Sequence, residues 1–120
     1  MAEILIVFLI HLYAHQYQVD PYFCESVARV ECGSKGLRAG PLDKRKLYYG
    51  PFAIHKDFLK KWPIDDPQEN IRRGVLALRG SDKNKILHRY NKTCDSAYIK
   101  AVMDKYRELK RVRTANRTTR

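Results

Sequence analysis

The sequence predicts an all-α domain of six or so short helices around one core, and three observations carry that expectation. Apolar residues recur at three- and four-residue spacing through most of the chain, without the sustained two-residue alternation of a half-buried strand. Two Asp-Pro steps, Asp20-Pro21 and Asp66-Pro67, read as helix starts, because Asp accepts from the first free amides and proline suits the first helical position. At 120 residues the chain makes a single domain, since division into several cores begins only beyond roughly 250 residues. We take it as a domain over 1–110 and a basic C-terminal tail over 111–120 that lacks a packed fold.

Each element has its own signal. Residues 3–17 are apolar nearly all round, as a helix through the middle of a core would be. From Pro21 to Cys32 the apolar Phe23, Val27 and Val30 keep helical spacing, Glu25 and Arg29 pair on the opposite face, and Gly33 or Gly36 stops the helix. Residues 33–50 hold four glycines, Pro41 and the cluster Lys44, Arg45, Lys46, and read as a long loop. A short helix is expected over 54–61, ended by Pro63. The next starts at Asp66-Pro67 and shares Ile71, Gly74, Val75 and Leu78 on one face, where Gly74 suggests a close helix contact. A helix over 82–91 turns Ile86, Leu87 and Tyr90 inward, and a last one over 96–110 buries Tyr98, Ile99, Val102, Tyr106 and Leu109.

Composition narrows the partners. With 44% hydrophobic residues and eight tyrosines, only the ends can be low-complexity disorder. The 24 Lys and Arg outweigh 13 Asp and Glu, and a net charge of +11 implies a polyanionic partner such as nucleic acid, anionic lipid or an acidic cell-wall polymer. The charge is uneven: Arg107, Lys110, Arg111, Arg113, Arg117 and Arg120 face only Glu108 near the C-terminus. Cys24, Cys32 and Cys94 match neither a paired-Cys zinc pattern nor an even disulfide framework. Along a continuous helix Cys24 and Cys32 would stand about 12 Å apart, so any disulfide includes Cys94, the other reading being three thiols. The apolar run Ile4 to Ile10 reads as a buried first helix, with an uncleaved export signal as the alternative. The segment Met1-Ala2-Glu3 before it carries an acid and no Lys or Arg, no small-x-small cleavage site follows, and the run is far shorter than the ~20 residues of a bilayer span.

Among residues that can carry chemistry, Glu31 stands out. It continues the apolar face of the second helix, four residues after Val27, at the helix C-terminus. Desolvation and the partial negative charge of that terminus both raise a carboxyl pKa, which is what an acid that protonates a glycosidic oxygen needs. On periodicity alone, an ordinary glutamate ending a helix explains the position as well. His11 and His15 are spaced i,i+4 without a third ligand, and a Cys32 nucleophile with His55 or His88 has no local signature. A helical nucleic-acid module is the reading from another class, with Arg72-Arg73 its one helical pair.

The order of signals along the chain decides for Glu31. Val19-Asp20-Pro21, Val27-Ala28-Arg29-Val30-Glu31, Tyr49-Gly50-Pro51-Phe52-Ala53-Ile54, Asp66-Pro67 with Asn70-Ile71 and Gly74, Tyr90-Asn91, and Tyr98, Val102 and Tyr106 together resemble the lytic transglycosylase family of the lysozyme-like superfamily, over residues 4–107. The resemblance implies a lysozyme-like helical fold with a cleft for peptidoglycan glycan strands, and Glu31 as a single acid and base that leaves a 1,6-anhydromuramoyl end. It implies that the Tyr90 hydroxyl approaches and orients Glu31, that Asn91 follows it in the motif, and that Tyr49, Gly50, Phe52 and Ala53 line the cleft. Cys32 stands where the family has Ser, and Ala53 where it has Gln, so substrate contacts there differ. A hydrolytic muramidase is the alternative within this class, with Asp43 as the nearest candidate for a second carboxylate. No cofactor or metal is implied. The expected partners are the glycan strands, with anionic wall polymers or an outer leaflet held by the basic tail, for a monomer acting in the periplasm or extracellular wall without specific nucleic acid.

Overall fold

The computed structural model describes residues 1–57, 66–90 and 95–118, and its elements are helical apart from one short hairpin. Five α-helices run α1 (Glu3–Gln16), α2 (Pro21–Cys32), α3 (Pro67–Ala77), α4 (Lys83–Tyr90) and α5 (Ser96–Thr118). The starts are set by side chains as the sequence suggests. Asp20 accepts from the Tyr22 and Phe23 amides at the head of α2, and Asp66 accepts from Glu69 N at the head of α3. Asp82 and Asp95 do the same for Lys85 and Tyr98 in α4 and α5. Gly33, in the left-handed region at φ 68°, ends α2.

The core gathers α1, α2, α3, the inner side of α4 and the middle of α5. Ile6, Ile10, Phe23, Val27, Ile71, Val75, Leu78, Leu87 and Val102 are fully or almost fully buried in one cluster. α5 lies antiparallel along α2, because Tyr98 near its start meets Glu31 at the end of α2 while Tyr106 donates a hydrogen bond to Asp20 at its beginning. Tyr98, Val102 and Tyr106 are four residues apart, so a single stripe of α5 runs the length of α2.

Several expectations are corrected. Residues 48–55 form a β-hairpin, β1 (Tyr48–Tyr49) with β2 (Ile54–His55), in the register Tyr48 to His55 and Tyr49 to Ile54. The start of the helix expected over 54–61 is therefore strand, and 58–65, with Pro63, lies outside the described residues. Two-residue strands are too short for alternation to show. The stretch 33–50 is not all loop: a 3-10 turn spans Gly33–Lys35 and Pro41 bridges to Tyr49. α1 is buried on one side only, with Ile4, Leu5, Phe8 and Leu12 exposed. Glu25 is not on a solvent face; it is 5% exposed and accepts from His11 Nε2 at 2.7 Å and Arg29 Nε at 2.8 Å. Residues 111–118, expected as an unstructured tail, continue α5.

Gly74 does make a close contact, but with Phe52 of the hairpin turn rather than with another helix. A Cβ on Gly74 would fall within the Phe52 ring. Gly74→Ala is therefore expected to destabilise the protein by about 2 kcal/mol or more, read by urea denaturation, through overpacking of a site with no room. An effect within a few tenths of the wild type would show that Phe52 is not held there.

Candidate active site

Four elements converge on Glu31. The turn Gly50-Pro51-Phe52-Ala53 joins β1 to β2, with Pro51 at its second position and the Ala53 amide donating to the Gly50 carbonyl at 3.1 Å. Gly50 (φ 75°) and Ala53 (φ 50°) both take left-handed backbone, which reverses the chain tightly enough to pair the strands. The Gly50 amide donates to the Gly40 carbonyl at 2.8 Å, tying the turn to the preceding loop.

Three helices then fix the turn. The Phe52 ring, fully buried, sits over Gly74 of α3. The Cys32 thiol at the end of α2 donates to the Pro51 carbonyl at 3.5 Å, and the Tyr90 hydroxyl at the end of α4 donates to the Phe52 carbonyl. Cys32 is thus bonded inward to the turn, and burial raises its thiol pKa. Cys24 is likewise a buried free thiol, pushed up to about 12 by burial. Cys94 lies outside the described residues.

Glu31, on the last turn of α2, is half-buried, and its Oε1 accepts from the Tyr98 hydroxyl at 2.8 Å. Burial raises its pKa above the ordinary glutamate value, and the Tyr98 hydrogen bond partly offsets the rise by favouring the ionised form. The carboxyl therefore keeps its proton to higher pH than a solvated glutamate while its orientation is held. Tyr90 is pushed well above the usual phenol range, first by burial and then by the charge of Glu31, which puts it in the electrostatic neighbourhood of that carboxylate.

The hydrogen bond to Glu31 expected of Tyr90 thus comes from Tyr98, while Tyr90 supports the turn. Tyr98 was legible as a helix-face residue but not as a partner of the acid. The usable signal was its place one turn after Asp95, at the head of a stripe ending on Tyr106. Phe52 is core rather than a face for sugars. Tyr48 is exposed and edge-on to His55, whereas Tyr49 is half-buried in the strand. Asn70, buried at 1% exposure, backs Gly50, where a Cβ would meet Asn70 Cβ at 3.4 Å. Asn91 lies outside the described residues. Asp43 accepts from the Leu47 and Tyr48 amides at 2.9 and 3.3 Å, and so serves the loop before β1.

Other features lie apart from this centre. A groove of about 480 Å³ along α4 and α5, lined by Asn84, Ser96, Ile99 and Met103 among others, includes none of the expected site residues. Among the described residues no three His, Cys, Asp or Glu side chains gather as a metal site. Arg72 and Arg73 are both paired with Glu69, and Arg72 also donates to Tyr17 at 3.2 Å.

Two outcomes follow from the state of Glu31. Tyr98→Phe removes the bond that favours the carboxylate, so the Glu31 pKa is expected to rise further in a carbon-13 titration of the glutamate side chains. An unchanged titration would mean that the bond is not formed in solution. Because the folded pKa is raised, the stabilising contribution of protonated Glu31 is complete below the unfolded value and is lost as pH rises through the folded one. Glu31→Gln is accordingly expected to be more stable than wild type at neutral pH, the gap closing as pH falls, by urea denaturation across the range. Neither a family model, nor a curated protein, nor a solved structure matches the chain.

Proposed function

We propose that the chain is a peptidoglycan-cleaving enzyme of the lytic transglycosylase type, with a lysozyme-like fold and Glu31 as its one acid and base. The observation that carries this reading is a half-buried carboxyl, raised in pKa by desolvation, oriented by the Tyr98 hydroxyl, beside a backbone turn anchored to three helices. That combination suits proton donation to an ether oxygen at neutral pH. Protonated Glu31 gives its proton to the glycosidic oxygen as the bond from the muramoyl C1 breaks. The resulting carboxylate takes the proton of the muramoyl C6 hydroxyl as O6 bonds to C1, which closes the 1,6-anhydro ring and restores the acid. No water and no second carboxylate enter the balance. The substrate makes the site of action the periplasm or extracellular wall, and the net charge of +11 draws the protein to an anionic polymer.

A hydrolytic muramidase is the second reading, and the engagement of Asp43 by two backbone amides counts against it, since a second carboxylate must be placed to hold water or the sugar cation. The pairing of Arg72 and Arg73 with Glu69 similarly weakens a nucleic-acid reading, because it withdraws both guanidinium groups from phosphate. Wild-type protein is expected to clear isolated cell walls and to release anhydromuropeptides by mass spectrometry, with Glu31→Gln reducing the rate at least about a hundredfold while the fold is kept. Reducing ends alone would replace the transglycosylase by the hydrolase. Comparable clearing by the Gln variant would remove Glu31 from the chemistry.

A further inference from the structure

We infer that the outer face of α1 docks on an anionic lipid surface, lying in the plane of the membrane. Ile4 is 81% exposed and Phe8 59%, and Met1, Leu5 and Leu12 are each more than two-fifths exposed. At 100° per residue, Ile4, Phe8, Leu12 and Leu5 fall within an arc of about 100°, so they form one strip about 12 Å long rather than scattered apolar residues. The opposite face, Ile6, Leu9, Ile10, Tyr13 and Ala14, is already spent on the core. Among the described residues no helix is long and apolar enough to cross a membrane, which leaves a surface-lying orientation for α1.

Charge complementarity selects the occupant. At one edge of the strip the His11 ring meets the Tyr22 ring at 5.2 Å, and the Arg113 guanidinium lies 5.2 Å from that same Tyr22 ring. The basic end of α5 is thus brought beside an apolar strip on a helix that has no Lys or Arg of its own. The carboxylates nearest the strip are both engaged within the protein: Arg29 bonds Glu3 at 3.1 Å and Glu25 at 2.8 Å, and His11 Nε2 lies 2.7 Å from Glu25. An apolar strip with the Arg113 end of α5 beside it, on a chain of net charge +11, matches anionic headgroups over acyl chains. This inference does not depend on the bond that Glu31 cleaves.

The test is co-sedimentation of the full chain with vesicles of equal parts phosphatidylglycerol and phosphatidylcholine, and with phosphatidylcholine alone. Wild type is expected to pellet with the anionic vesicles. The double substitution Ile4→Ser with Phe8→Ser should lower partitioning about tenfold or more, and Arg111→Gln with Arg113→Gln should weaken it selectively on the anionic vesicles. Circular dichroism melting confirms that these exposed positions leave the fold intact. Absence of wild-type binding, or binding indifferent to the Ile4 and Phe8 changes, would overturn the proposal. A stable dimer in analytical ultracentrifugation, dispersed by the same two changes and indifferent to vesicles, would overturn it in favour of a second copy on this face.

Discussion

The Phe52 ring occupies the space in which any side chain at position 74 would stand, and the placement of the rest of the site depends on that seat. A four-residue turn on a two-stranded hairpin has little stability of its own. Here its apolar side chain is sunk into α3, and its Pro51 and Phe52 carbonyls are taken by Cys32 and Tyr90 from α2 and α4. Three helices that would otherwise be related only through the core are thereby referred to one short piece of backbone. Glu31, adjacent in sequence to Cys32, is carried into register with it.

The acid itself is held from the other side. Burial without a partner would leave a carboxyl protonated but free to rotate; a hydroxyl at 2.8 Å fixes its direction and returns part of the pKa rise. The two effects oppose each other in energy and cooperate in geometry. Such a group is costly to the fold when ionised, because burial takes its charge out of water.

Helix starts were legible in the sequence because capping is local: Asp20, Asp66 and their prolines act on amides two and three residues away. The inward face of α3 was legible for the same reason, as Ile71, Val75 and Leu78 obey one period. What escaped was whatever depends on a partner from another element. Glu25 looks like half of a surface pair until His11 arrives from α1. The outer strip of α1 looks like core because composition alone cannot tell how many neighbours a helix has. Tyr90 and Tyr98 differ in role only because α5 lies antiparallel on α2, a fact of packing rather than of spacing. The hairpin was missed because four strand residues carry no measurable period.

The antiparallel stripe of α5 makes α2 a helix gripped at both ends by phenols, Tyr106 on Asp20 and Tyr98 on Glu31. These grips share one rigid rod, with about 12 Å between them along α5. They act as the jaws of a caliper: rotating α5 to improve one contact loosens the other, so the spacing that starts α2 also gauges where it ends. A disturbance at the Asp20 end thus reaches Glu31 by two routes, along α2 and back through α5, and residues at the far end of α2 share in setting its proton affinity.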